Sequence, residues 1–170
     1  MEQKTSQAAL ALKWGVISAL ATIILSTAIN ISGLWKVTGV SMLAFIPMIV
    51  ILVLCMKEFR EGNSRFMAFG EGLSVGMLMS AVSALISSLW GLIYASLIDP
   101  TFMGQIREYQ IEQMEEKGLA DEQIEVAMKM TEKFSNGSMT FLFGLLGTLF
   151  FAFIFSLIIS AILKKNRPVF

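Results

Sequence analysis

The side chains best equipped for chemistry are carboxylates, and nine of the chain's thirteen lie between positions 99 and 133: Asp99, Glu108, Glu112, Glu115, Glu116, Asp121, Glu122, Glu125 and Glu132. On a helix, Glu108 shares a face with Glu112, and Glu112 with Glu115 or Glu116, because residues three and four apart are neighbours. Such a surface suits docking of a basic partner or loose binding of a divalent cation. Calcium needs about six to eight oxygens in fixed geometry, and the stretch has no EF-hand spacing, so no metal ligand is assigned. Asp99 is the best-placed acid for an interfacial enzyme. Acid–base catalysis, however, needs groups whose pKa values are set apart by their surroundings. No nucleophile, paired acid or metal triad accompanies Asp99. The expectation is a protein that is not an enzyme, with no catalytic, cofactor-binding or metal-binding residue and no cofactor.

Other candidates carry less. There is no His, which removes His-based catalysis and His-ligated metals, and Cys55 alone cannot form a disulfide within the chain. Gly70, Gly72 and Gly76 look superficially like a dinucleotide loop, but the spacing is wrong and no strand precedes them. Asn136-Gly137-Ser138 matches a glycosylation sequon, relevant only in a host with that machinery.

The elements that position these residues are dictated by an absence of charge. Of 170 residues, 55% are hydrophobic and 15% charged, with thirteen basic balancing thirteen acidic side chains; a soluble domain has about 25% charged residues. Zero net charge offers no basic surface for nucleic acid. Uncharged windows run over 14–35, 37–56, 72–98 and 134–163. About 20 helical residues cross a hydrocarbon core, and only helices or closed barrels satisfy the backbone there. The reading is all-α: one polytopic membrane domain over 1–170, with four transmembrane helices, TM1 at 14–35, TM2 at 37–56, TM3 at 72–98 and TM4 at 138–163. A loop at 57–71, an acidic extramembrane helical hairpin at 99–133 and a tail at 164–170 complete it. The first window follows Lys4 and Lys13 as a secretory signal would, but runs on to Trp35, so it reads as an uncleaved anchor.

The side holding the N-terminus, the 57–71 loop and the tail has eight Lys and Arg; the other has five. That lean places both termini in the cytoplasm. Trp14, Trp35, Trp90 and Tyr94 fall at helix ends, as interface anchors do.

Helices in lipid associate by close packing at small residues. TM3 carries Gly72, Gly76, Ser80, Ala84 and Ser88 at four-residue spacing, TM4 carries Gly144, Thr148, Ala152, Ser156 and Ser160, and TM1 carries Ser18, Thr22, Ser26 and Asn30. Packing within the chain explains these rows most simply; a homo-oligomer or the lining of a path are the alternatives. TM2 has no such row and is expected to be the most lipid-facing helix, kinked at Pro47. Asn30 is expected to bond a neighbouring helix. No Asp, Glu, Lys, Arg or His lies within a window, unlike proton relays and most ion-coupled transporters.

In the outer stretch, Asp99-Pro100 reads as a helix start and Gly118 as its stop. A second helix near Asp121 would present Ile124, Ala127, Met128 and Thr131 on one face.

The chain resembles the bacterial domain of unknown function 4199 family over nearly its whole length. The resemblance rests on Lys13-Trp14-Gly15, on Phe69-Gly70-Glu71-Gly72, on Tyr94 with Ile98-Asp99-Pro100, and most on Gln113–Leu119, Asp121–Glu125 and Ala127-Met128. A departure is Ala120, where a Ser-like cap is expected. The resemblance implies a four-helix inner-membrane protein of the cell envelope, without catalytic residues to carry over; family members lie near glycosyltransferase genes, which points weakly to envelope lipid or glycan metabolism. The leading expectation is a non-enzymatic accessory or scaffold, with a membrane or periplasmic protein partner at the acidic loop. The alternative is a carrier or flippase-like protein for a lipid or lipid-linked sugar.

Overall fold

The computed structural model describes residues 6–37, 39–134 and 137–167. Six α-helices follow one another: α1 Gln7–Ile31, α2 Phe45–Gly62, α3 Phe69–Ile93, α4 Phe102–Glu116, α5 Asp121–Phe134 and α6 Gly137–Leu163. Short 3-10 turns precede α2, and α3 ends in a π turn, Tyr94–Ile98. The fold is all-α; Met67 and Lys165 form an isolated antiparallel bridge. Among the described residues, four helices are long and apolar enough to cross a membrane: Gln7–Ile31, Met42–Gly62, Phe69–Ile98 and Gly137–Leu163. The helices group into two compact units, Met1–Ser87 with Leu145–Phe170, and Ser88–Gly144.

In the first unit, α1 starts under a Ser6 cap, whose hydroxyl accepts from Ala9 N at 3.4 Å. It ends at Ile31, short of the expected Trp35, because Gly33 takes φ +70° and turns the chain. Glycine adopts this left-handed backbone without steric cost, and helices commonly stop there. The apolar stretch before α2 therefore holds 3-10 turns as well as helix. A single Lys36 between two expected spans was too short a connection for antiparallel helices, which use about two to eight residues.

Pro47 is the third residue of α2. Its missing N–H is one that the first turn leaves unpaired anyway, so it sits at a helix start and not at the expected interior kink. At its other end α2 runs to Gly62 and α3 starts at Phe69, so nine of the fifteen residues of the expected 57–71 loop are helical.

The core joins Leu10 and Ala11 of α1, Leu52, Cys55, Met56 and Phe59 of α2, Val75 and Met79 of α3 and Ile159 of α6. α2 is thus the opposite of the lipid-facing helix expected from its composition. A third of its apolar window is buried, the largest share of the four (33%, against 28%, 17% and 17%). Small residues mark where backbones approach; the space left over is filled by bulk, and α2 supplies it.

Polarity is arranged inside out. Ser18, Ser80, Ser83, Ser156 and Ser160 are buried, while Leu20, Ile24, Val50, Leu78, Phe153 and Ile162 are exposed. A protein in water rarely shows so much contiguous apolar surface; a helix in lipid shows it by necessity.

The second unit contains the end of α3, the π turn, α4, α5 and the start of α6. Asp99 closes the π turn, its N–H donating to Tyr94 O at 2.8 Å. Its Oδ1 accepts from Thr101 N at 3.1 Å and Thr101 Oγ1 at 2.6 Å, setting the start of α4. α4 stops where Gly118 takes φ +75°. Gly118 N donates to Glu115 O and Leu119 N to Met114 O, the paired bonds of a Schellman stop.

α5 begins at Asp121 after Ala120, the non-polar cap position. Gln123 compensates: its Oε1 accepts from Ala120 N at 3.3 Å, one half of a capping box. Ile124 and Met128 are buried, as the periodicity predicts, with Ala127 and Thr131 partly so. Arg107 on α4 pairs with Glu132 on α5.

Candidate functional site

Polar side chains of the first unit converge at one end of its helices, in two clusters. The first joins α1 to α2. Lys13 Nζ donates to both Glu58 oxygens at 2.8 Å, and Trp14 Nε1 donates to Oε2 at 2.7 Å. Lys13 Nζ also lies 4.9 Å from the Trp14 ring centroid. The cluster ties the N-terminal part of α1 to the last turns of α2. Both charged partners are about half exposed (51% and 39%), so the ion pair itself contributes no more than about 1 kcal/mol; its main effect is geometric. Glu58 was not singled out from the sequence. The available signal was an acid just past the second window and a Lys just before the first, which antiparallel spans must bring to the same end.

The second cluster ties the α2–α3 turn to the tail. Met67 N donates to Lys165 O at 3.0 Å and Lys165 N to Met67 O at 2.8 Å. Buried Asn63 donates through Nδ2 to Phe66 O at 3.0 Å and accepts through Oδ1 from Arg167 at 3.1 Å. Glu71 Oε2 accepts from Ala68 N at 2.9 Å, the reach-back of a helix-start acid. Arg60 Nη1 donates to Leu163 O, and Ser160 Oγ to Phe69 O at 2.7 Å. These groups hold one another.

The small-residue rows meet within the chain. In the first unit, a Cβ built on Gly72 would strike Ser160 Oγ, and one on Gly76 would lie 2.7 Å from Ser156 Oγ. In the second unit Gly144 faces Ser88, at 3.6 Å by the same measure. Both rows are thus taken up by α3–α6 contact, the packing the spacing predicts. Gly15 does the same for α1 against α3: its Cβ would meet Val82 Cβ at 2.6 Å and Met79 O at 2.8 Å. Beside it, Ser83 Oγ donates to Ser18 Oγ at 3.2 Å, an interhelical bond worth about 0.6 kcal/mol.

Of the remaining α1 row, Ser26 bonds its own helix at Ile23 O. No hydrogen bond from the Asn30 side chain to another helix is found among the described residues. Asp99, the acid nearest an expected membrane edge, is occupied in the turn described above. Glu108, Glu112, Glu115, Glu116, Asp121, Glu122, Glu125 and Glu132 are all exposed. Among the described residues, only Glu125, with Lys129, and Glu132, with Arg107, form ion pairs. No three His, Cys, Asp or Glu among the described residues come together as metal ligands would. Asn136 of the sequon lies outside the described residues; Gly137 and Ser138 open α6.

Four apolar spans with buried hydroxyls, exposed aliphatics and polar clamps at one end define a helical protein of multi-pass membrane type. The family model "Protein of unknown function (DUF4199)" matches residues 13–165, and the chain belongs to that family. No curated protein and no solved structure matches it.

Proposed function

We propose that this protein is a non-enzymatic accessory or scaffold of the bacterial cell envelope, embedded in the inner membrane with both termini in the cytoplasm. In this reading α4 and α5 form an acidic hairpin outside the membrane on the opposite side, and that hairpin docks a membrane or periplasmic partner carrying basic residues. The observation that carries the reading is a division of labour. The small-residue rows of α3 and α6 meet each other within the chain, whereas eight carboxylates on α4 and α5 stay exposed and mostly without cations. Unpaired surface acids cost solubility nothing in water, and a basic partner gains steering and register from them.

The test is crosslinking in native membranes with identification of captured neighbours, repeated with Glu112→Lys, Glu115→Lys and Glu116→Lys combined. A specific neighbour should be captured by the unaltered chain and lost on charge reversal. If every captured neighbour persists at the same yield after reversal, docking through this surface is wrong. Activity in a liposome scrambling assay above protein-free vesicles would instead favour a lipid carrier.

A further inference from the structure

Arg60, Glu61, Arg65 and Lys165 line a cleft of about 510 Å³ beside the α2–α3 turn. Three cations against one carboxylate leave it positive. None of the three forms an ion pair among the described residues. The main chain that carries each is nonetheless held in place. Arg60 lies in the last turn of α2 and donates to Leu163 O. Lys165 is fixed by its two backbone bonds to Met67, and its Nζ lies 5.7 Å from the Phe66 ring centroid. Arg65 follows Ser64 through two successive left-handed positions, φ +65° and +56°, a conformation that L-residues seldom adopt. Asn63, bonded to Phe66 O and to Arg167, secures that turn. The fold therefore spends backbone strain and a buried amide on holding an exposed arginine beside two other cations.

This chemistry suits a phosphate ester. The arginine fork matches two phosphate oxygens, and an ammonium adds a third donor. The cleft lies just past the ends of two apolar spans, since α2 meets its first charge at Lys57 and α6 ends at Leu163. That is the depth of lipid headgroups, where basic pockets between transmembrane helices take them. We infer that the Arg60–Arg65–Lys165 cleft binds the phosphate ester of an anionic headgroup or of a soluble phosphorylated molecule. The inference stands apart from the proposed docking surface, whose residues belong to the other unit.

The full chain in a neutral detergent is titrated with phosphatidylglycerol, retained lipid being counted by native mass spectrometry, and separately with glycerol 3-phosphate. Arg65→Gln and Lys165→Gln should each weaken phosphatidylglycerol binding about fivefold. Lys129→Gln on α5 should leave it unchanged. Glu61→Gln should tighten binding, a gain that misfolding cannot produce. If the same pattern appears with glycerol 3-phosphate and not with the lipid, the site stands and its ligand is soluble. Binding of both probes that is indifferent to Arg65, Lys165 and Glu61, or as sensitive to Lys129 as to Arg65, overturns the inference.

Discussion

Leu52, Cys55, Met56, Val75, Met79, Ala84, Ala152, Ser156 and Ser160 have no solvent exposure in the first unit. In the second, only Tyr94, Ile124 and Met128 fall into the buried class among the described residues. The first unit is joined by contacts between residues far apart in sequence, with glycine set against serine and methionine packed around them. The second is organised by short-range signals: the Asp99 turn, the Gly118 stop, the Gln123 reach-back and the Lys129–Glu125 pair one helical turn apart. Under the proposed topology, with α4 and α5 outside the membrane, the contrast follows from solvent. Where water is absent, apolar burial drives nothing and shape decides. Where water is present, a helix needs ends that are satisfied and one buried stripe.

If the contrast is real, changes in the first unit act on the whole unit and changes in the second stay local. The largest effect is expected from Leu52→Ala, whose cavity should cost up to about 3 kcal/mol, measured as a shift in denaturing-detergent unfolding of purified protein in mixed micelles. Val126→Ala, at a site 61% exposed, should stay within about 0.5 kcal/mol; comparable losses would erase the distinction. Next comes Gly15→Ala. Its added carbon meets a Cβ and a backbone oxygen, neither of which can swing aside, so α1 and α3 must separate at a cost of about 1–3 kcal/mol. Gly104→Ala on α4 has nothing within 4 Å and should gain about 0.5 kcal/mol from helix propensity. The smallest loss, about 1 kcal/mol, is expected from Gly118→Ala at φ +75°. Hydrogen exchange should quicken at the α4–α5 turn and remain unchanged in α2; exchange spreading into α2 would show that the two units unfold together.

The sequence made the four spans legible because length and missing charge are enough to define them. It also disclosed the α3 and α6 rows, because four-residue spacing is a direct consequence of helix geometry. The boundaries were less legible. An uncharged residue can sit in a turn as readily as in a helix, which is how residues 32–35 and 39–41 passed for membrane helix although Gly33 held the stop. The burial of α2 was misjudged for a related reason: composition reveals where backbones touch, while the placing of Leu52 and Met56 depends on the shape that the other helices leave. Of the polar clusters, Lys13 with Glu58 could have been inferred from charge at matching ends. The Met67–Lys165 pairing could not, since backbone bonds leave no mark on residue type.

The order of residues along the α3–α6 seam sets a timetable for assembly. The ribosome finishes Gly76 and then makes roughly eighty more residues to reach Ser156, which at about 5–20 residues per second is a delay of roughly 4–16 s. Throughout that interval Gly72 and Gly76 face lipid, or some other helix, without their mate. The nascent chain thus passes through a stage with an open seam, and the insertion machinery must keep its neighbours from filling it.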